Sequence, residues 1–225
     1  MAQRISVTAR DGHAFSAWTA APDDDAKGGI VLLQAIYGLT SHLGDVCDGF
    51  AGDGYAAIAP ALYDRTEPDR VFSYDQAGVA AGTAFRENLN EATVSLDVSA
   101  CAYYLRRSVR NVAISGFCTG GSWAWICADA LDFDAAVIFY GSDVFRLLDR
   151  KPRCPTILHY GDSDHVVPID QVTEIGAMNP QCGLYVYPGC GHAFFNPEQA
   201  HYDAAAAALA QRRTVEFLDC RFAAS

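Results

Sequence analysis

The chain has 225 residues, of which 51% are hydrophobic and 19% charged, and its formal net charge is -11. These proportions exclude a disordered or fibrous protein, and the length predicts one globular α/β domain over residues 1–225. The negative charge would repel phosphate backbones and anionic lipids, so neither a nucleic acid nor a membrane surface is an expected partner.

Cysteine usage indicates a reducing compartment. The eight cysteines contain no C-x-x-C pair and lie at positions 47, 101, 118, 127, 154, 182, 190 and 220. The first residues, MAQRISVTARDG, lack the apolar core of a signal peptide, and no apolar run reaches the roughly 20 residues of a membrane span. We therefore expect reduced thiols in a cytoplasmic protein, as a monomer or small homo-oligomer.

The predicted strands begin with a hairpin. RISVTARDGHAFSAWTA shows two extended runs around Asp11 and Gly12, which is a turn signal. Six short apolar stretches follow, with the near-continuous hydrophobicity of strands covered on both faces of a parallel sheet. These stretches are GIVLLQ from 29, YAAIAPAL from 55, NVAISGF from 111, AAVIFYG from 135, PTILHYG from 155 and GLYVYPG from 183.

Helical patterns lie between and after these strands. The clearest is NEATVSLDVSACAYYLRRS, with Asn90 as the expected cap and with Arg106 and Arg107 in the last turn. The segment from Tyr202 to Phe222 is predicted to form a closing helix. Together these elements predict a mostly parallel central sheet with helices on both faces and an antiparallel N-terminal hairpin.

The stretch AISGFCTGGSW places Cys118 in the pattern glycine-x-nucleophile-x-glycine, after a predicted strand and before a helical segment. Such an elbow strains its central residue and leaves no room for a Cβ at Gly116 or Gly120. The helix N-terminus favours a thiolate and directs the Thr119 backbone N–H towards a developing oxyanion. The pattern therefore indicates a nucleophile, with a buried thiol in a glycine-rich turn as the alternative.

Two downstream segments offer the acid and the base that such a nucleophile needs. HYGDSDHVVP follows one predicted strand and carries Asp162 and Asp164, and YPGCGHAFF follows the last strand and carries His192. The order of nucleophile, acid and histidine is that of the α/β-hydrolase fold. We favour Asp164, whose place in the loop suits it to reach over the sheet edge, whereas Asp162 has the pattern of a turn residue.

Other histidines and a metal site are the competing interpretations. His159 lies within a predicted strand and is expected to be packed there, and His165 is expected at the rim of the site. A metal site would gather Asp162, Asp164, His165 and His192, but no helix-spaced pair such as H-x-x-x-H accompanies them. No metal and no cofactor are expected.

With these residues in place, the chain resembles the dienelactone hydrolase family of α/β hydrolases from about Gly29 to Phe222. The motifs that carry the resemblance are LLQAIYGL, GYAAIAPALYDR, SGFCTGG, HYGDSDHVVP and GHAFFN. The resemblance implies a triad of Cys118, Asp164 and His192. It also implies that the backbone N–H of Ile36 is the second oxyanion donor beside that of Thr119.

The chain departs from the family pattern at two places. Where the family has a glutamate that helps to activate the thiol, this chain has Ala35, so the thiol would depend on His192 directly. The family also holds a substrate carboxylate with two arginines. Arg65 resembles the first, but Asn196 occupies the second position, which predicts a preference for a neutral or differently shaped ester.

These observations predict a carboxylic ester hydrolase that opens a small ester or lactone through a thioester intermediate. Expected substrate contacts are Tyr63, Arg65, Phe117, Tyr140 and Asn196. Two alternatives remain open. One is a catalytically silent, ligand-binding or redox-sensing member of the fold that uses Cys118, and the other is a cysteine acyltransferase.

Overall fold

The computed structural model describes residues 1–223. Its contacts cluster into two compact units, one comprising Met1–Ile114 and the other beginning at Ser115. The predicted single domain includes residues 224 and 225, which lie outside the described residues. Eight strands and six helices account for most of the regular structure.

The first unit contains the N-terminal hairpin and three helices. Its elements are β1 (Gln3–Thr8), β2 (Ala14–Ala20), β3 (Gly28–Leu33), α1 (Ser41–Gly52), β4 (Tyr55–Pro60), α2 (Gln76–Phe85) and α3 (Glu91–Leu105). Strands β1 and β2 are antiparallel, with Thr8 opposite Ala14, and Gly12 has the positive φ of 88° that the turn requires. Strand β2 is antiparallel to β4, whereas β3 is parallel to β4, and the strand order is β1-β2-β4-β3-β5.

Strand β5 (Val112–Phe117) crosses the boundary and leads into the second unit. The elements that follow are α4 (Thr119–Ala130), β6 (Ala135–Phe139), β7 (Thr156–Gly161), α5 (Ile169–Met178), β8 (Gly183–Tyr187) and α6 (Ala204–Ala223). The strand order is β5-β6-β7-β8, and β7 is parallel to both β6 and β8. The mostly parallel sheet with an antiparallel N-terminal hairpin is therefore confirmed.

Each of the six apolar stretches forms a strand, as predicted. Strands β3 to β7 are buried along their whole length, because a strand inside a parallel sheet has both faces covered. Strand β8 differs from this prediction, since most of its residues are partly exposed. Among residues 1–223 it is the last strand in the order, so only one of its edges has a neighbouring strand there.

Side-chain caps mark the starts of the two predicted helices. The side chain of Asn90 accepts a hydrogen bond from the N–H of Thr93, which confirms the predicted cap of α3. The prediction of a basic last turn was wrong, because α3 ends at Leu105 and Arg106 is its C-cap. Helix α6 begins two residues later than predicted, after Asp203 accepts a hydrogen bond from the N–H of Ala206. None of the helices in residues 1–223 has the length and apolar character of a bilayer span.

Candidate active site

Cys118 occupies the sharp turn between β5 and α4, with φ 55° and ψ -119°. This left-handed conformation is rare for a residue with a side chain and is maintained here by close backbone packing. A Cβ on Gly116 would collide with the backbone carbonyl of Gly120. A Cβ on Gly121 would lie 2.9 Å from both the Cα of Gly141 and the carbonyl oxygen of Phe139. The glycines therefore allow the first turn of α4 to pack against the end of β6.

Three hydrogen bonds hold the backbone of Cys118 on both sides. Its N–H donates to the carbonyl of Phe139 at 3.1 Å. Its own carbonyl accepts from the N–H of Ser122 and from the N–H of Ser142, each at 3.2 Å. The turn is thus attached both to α4 and to the segment after β6.

Asp164 and His192 are brought together from the loops that follow β7 and β8. Oδ2 of Asp164 lies 2.7 Å from Nδ1 of His192, and Oδ1 accepts hydrogen bonds from the N–H groups of Val166 and Val167. Burial alone would raise the pKa of Asp164, but His192 and the two backbone donors outweigh burial and lower it. The carboxylate is therefore ionised at neutral pH and holds the ring with Nδ1 towards it.

Cys118 and His192 influence each other electrostatically. Burial opposes both charged forms, yet the proximity of the two groups lowers the pKa of the Cys118 thiol and raises the pKa of His192. Hydrogen bonds from Thr119 add to the effect on the thiol, and Asp164 adds to the effect on the imidazole. Nε2 of His192 is buried and has no partner of standard hydrogen-bond geometry among residues 1–223. A loose contact between the nucleophile and the nitrogen of its base, as between Cys118 and Nε2 of His192, is common before substrate binds.

Three of the predicted substrate contacts lie in the second unit, and all are largely buried. The ring of Tyr140 packs edge-on against His192, with centroids 5.0 Å apart. Phe117 stacks on both Phe139 and Phe195, with ring centroids 4.9 and 5.5 Å apart. The side chain of Asn196 accepts a hydrogen bond from the N–H of Glu198, in the manner of a turn residue. Tyr140 thus lies directly against the predicted base.

The remaining predicted site residues lie in the first unit. Tyr63 is buried and its hydroxyl donates to the carbonyl of Ile36 at 3.0 Å, so the phenol holds the loop that carries the predicted oxyanion donor. Arg65 donates two hydrogen bonds to Asp97 and two to Asp11, at 2.7–3.3 Å. Its guanidinium is thus shared between two carboxylates of the chain itself.

The competing residues have structural partners. His159 is fully buried, and its ring nitrogens lie 2.8 Å from the Tyr187 hydroxyl and 3.2 Å from the Thr214 hydroxyl. Burial lowers the pKa of His159 to about 3, so the ring stays neutral. Asp162 accepts from the N–H of Gly189 at 2.7 Å, which fixes a turn. His165 is exposed, with its ring 6.4 Å from that of His192.

In residues 1–223, no group of three or more His, Cys, Asp or Glu side chains is arranged so that it could hold a metal ion.

Sequence reasoning missed several residues around the nucleophile. Ser122, Ser142 and Tyr160 make hydrogen bonds close to the elbow, and although Ser122 and Tyr160 lie within quoted stretches of the sequence, nothing there indicated these partners. Only Gly121 had a usable signal, as the second glycine of CTGG.

Comparisons with known proteins agree on one family. Residues 15–221 match the model of the dienelactone hydrolase family. A carboxymethylenebutenolidase of Pseudomonas putida is 31% identical over 97% of this chain and 96% of its own length. A putative carboxymethylenebutenolidase of Azospirillum brasilense is 30% identical over 95% of this chain and 96% of its own. The crystal structure of a putative dienelactone hydrolase from Klebsiella pneumoniae has a TM-score of 0.81 at 26% identity, covering 97% of this chain and 98% of that one.

Proposed function

Because this chain belongs to the dienelactone hydrolase family and is a carboxylic ester hydrolase, we propose that it opens a small ester or lactone by nucleophilic attack of Cys118. The observation that carries the proposal is the buried Asp164 and His192 pair, joined at 2.7 Å, whose imidazole interacts with the thiol at the elbow. These are the parts that nucleophilic catalysis needs: a nucleophile, a base and a group that orients the base.

The first half-reaction acylates the enzyme. The sulfur of Cys118 attacks the carbonyl carbon, and the carbonyl electron pair moves onto oxygen to form a tetrahedral oxyanion. The backbone N–H of Thr119, at the start of α4, stabilises that oxyanion. His192 gives its Nε2 proton to the leaving alkoxide as the carbon–oxygen bond breaks, which leaves a thioester.

The second half-reaction releases the acid. Neutral His192 takes a proton from water through Nε2, and the resulting hydroxide attacks the thioester carbonyl. Collapse of the new tetrahedral species expels the Cys118 thiolate and forms the carboxylic acid product. Asp164 stays ionised throughout and stabilises the imidazolium that forms in each step.

Activation of the thiol in this chain proceeds without the family glutamate, since Ala35 has no acid group. The lowered pKa of Cys118 and the raised pKa of His192 support a resting thiolate and imidazolium pair. The N-terminus of α4 adds a favourable partial positive charge beside the sulfur. His192 therefore takes over the activation that the glutamate performs in the family.

We infer that the preferred substrate is neutral. Arg65 is the residue that resembles the first anion-binding arginine, but it already makes four hydrogen bonds to Asp11 and Asp97. Asn196 stands where the second arginine would be, and its side-chain oxygen accepts from the backbone within a turn. A substrate carboxylate would therefore find neither of the two cations that the family uses.

The proposal is tested by turnover of p-nitrophenyl esters, simple lactones and dienelactone by the wild type and by Cys118→Ala. We expect wild-type turnover and a loss of about a thousandfold or more in the variant, because the nucleophile is removed. Cys182→Ala is the matched control, since burial raises the pKa of that thiol to about 11 and it should keep full activity. Wild-type turnover by Cys118→Ala would refute the nucleophile, and fast alkylation of Cys118 without any turnover would favour the redox-sensing alternative.

A cytoplasmic location is part of the proposal. All eight cysteines lie in the described part of the chain and are free thiols, and half of them are buried. Free thiols in such number are typical of proteins that function in a reducing compartment.

A further inference from the structure

One segment of the second unit contacts both the predicted nucleophile and the predicted base. The linking segment, Tyr140–Asp143, follows β6. At its start, the ring of Tyr140 packs against His192 with centroids 5.0 Å apart. Two residues later, the N–H of Ser142 donates to the carbonyl of Cys118 at 3.2 Å. A shift of this segment would therefore move the sulfur and the imidazole relative to each other.

Two side chains outside the linking segment anchor its backbone. The hydroxyl of Tyr160, on β7, donates to the carbonyl of Gly141 at 3.0 Å. The hydroxyl of Ser122, in the first turns of α4, accepts from the N–H of Asp143 at 2.8 Å. Both anchors are buried: Tyr160 has 0% and Ser122 4% of its surface exposed. One anchor holds the middle of the segment and the other holds its end.

We propose that Tyr160 and Ser122 are positioning residues that set the geometry between the sulfur of Cys118 and Nε2 of His192. The inference rests on the proposed function, in which these two atoms react. The hydroxyls of both anchors make their hydrogen bonds to the backbone of the linking segment, so each acts through that segment. Nε2 of His192 has no partner of standard hydrogen-bond geometry in residues 1–223, so the packing of the linking segment against the ring helps to set its place relative to the sulfur.

The chemistry of each anchor suits this role. Burial, followed by the nearby Asp164 carboxylate, raises the pKa of Tyr160 far above its usual value, so the phenol keeps its proton and remains a donor at any working pH. Without that donor, the buried carbonyl of Gly141 would lose this partner, and the segment would have to move to find another. The Ser122 hydroxyl lies on the same helix turn whose N–H holds the Cys118 carbonyl. It therefore couples the end of the segment directly to the elbow.

Tyr160→Phe removes one oxygen atom and is the first test. Three quantities are measured: the pH profile of Cys118 alkylation by iodoacetamide, followed by mass spectrometry; kcat and KM for p-nitrophenyl acetate; and the melting temperature. We expect alkylation at neutral pH to slow about fivefold with its midpoint shifted upward, and kcat to fall about tenfold with little change in KM. The shift in the alkylation profile is the decisive result, since a purely structural role would leave it unchanged.

Tyr187→Phe is the matched control. Its hydroxyl is also buried and also hydrogen-bonded, to His159 at 2.8 Å, but it makes no hydrogen bond to the linking segment. We expect a comparable loss of melting temperature with the alkylation profile and kcat of the wild type. An equal shift of the alkylation profile in both variants would overturn the proposal, because the effect would then follow from any buried hydroxyl.

Ser122→Ala tests the second anchor and decides the matter if Tyr160→Phe does not fold. Ser122→Ala should shift the pH profile of Cys118 alkylation and kcat in the same direction as Tyr160→Phe does. Ser122→Thr retains a hydroxyl and should restore most of the wild-type profile and kcat. The proposal is wrong if the folded variants retain the wild-type alkylation profile. Since alkylation needs no substrate, it tests the anchors even if the wild type hydrolyses none of the esters, so the two proposals can fail separately.

Discussion

The carboxylate of Asp164 and the imidazole of His192 form a buried pair at 2.7 Å, and the residues that flank each of them make the pair rigid. Asp164 accepts two backbone hydrogen bonds from the start of its own loop. Ala193, directly after His192, has φ 62°, a backbone conformation that only a well-packed loop maintains. The imidazole is therefore held before any substrate arrives, and its other nitrogen remains available for the thiol.

Asp164→Asn should lower kcat by about a thousandfold or more, because an amide can hold the ring in the wrong tautomer and cannot stabilise the imidazolium. Steady-state kinetics on a p-nitrophenyl ester measures this. Asp162→Asn is the matched control two residues away, since that side chain accepts hydrogen bonds from the N–H of Gly189 and the hydroxyl of Ser163 and so fixes a turn. It should cost about 1 kcal/mol of stability and leave kcat near that of the wild type. Equal losses in the two variants would contradict the assignment.

Alkylation of Cys118 should reach its plateau at a lower pH than that of an ordinary thiol. The folded protein lowers the pKa of Cys118, so the thiolate persists as the pH falls below the usual thiol range and is lost only when the pH passes the depressed value. Cys182 serves as the internal reference, because burial raises its pKa to about 11 and its alkylation should rise only in alkaline solution. Parallel profiles for the two cysteines would rule out the thiolate and imidazolium pair.

The pKa of the His192 imidazole is shifted in the opposite direction to that of the Cys118 thiol. His192 has a raised pKa in the folded protein, so its charged form stabilises the fold below about pH 6.5, and this contribution disappears as the pH rises through the folded value. The melting temperature of the wild type, compared with that of His192→Gln, should therefore show an advantage at mildly acidic pH that shrinks in alkaline solution. A difference that grows with pH would contradict the raised pKa.

Arg65→Gln should destabilise the protein by about 2 to 3 kcal/mol, because it leaves the buried carboxylate of Asp97 without its main partner. Arg4→Gln is the control, since the Arg4 and Asp69 pair is exposed and should contribute less than about 0.5 kcal/mol. Urea unfolding measures both. Arg65→Gln should also leave substrate preference unchanged. The measure is the ratio of kcat/KM between the neutral ester p-nitrophenyl heptanoate and the anionic mono-p-nitrophenyl ester of pimelate. A selective loss of the anionic ester would show that Arg65 binds substrate.

Gly116→Ala should abolish most activity and destabilise the protein by several kcal/mol, because the added methyl group would meet the backbone of Gly120 and distort the elbow. Gly49→Ala is the control on α1, where a Cβ would meet nothing within 4 Å. That substitution should stabilise the protein by up to about 1 kcal/mol, since alanine favours a helix more than glycine does. Thermal unfolding and ester turnover measure both.

The elements that sequence predicted well are those whose causes are local. Continuous apolar runs predicted six strands, and Asn90 predicted the start of α3, because periodicity and capping depend on neighbouring residues alone. The elbow at Cys118 was recognisable for the same reason, since a backbone too tight for a Cβ requires glycine at fixed spacing. Strand β8 was the exception, because its exposure depends on its place at the edge of the sheet.

Side-chain partners were decided only by tertiary structure. Arg65 binds a carboxylate 32 residues away, and Tyr160 binds a carbonyl 19 residues away, and no pattern in the chain indicates either of these partners. Their roles depend on which elements pack together and on which buried groups need a partner there. Sequence therefore determined the strands, the elbow and the order of the candidate triad. The folded chain alone determined which polar groups neutralise Arg65 and which ones hold the elbow in place, because a hydrogen bond requires two groups to meet in space.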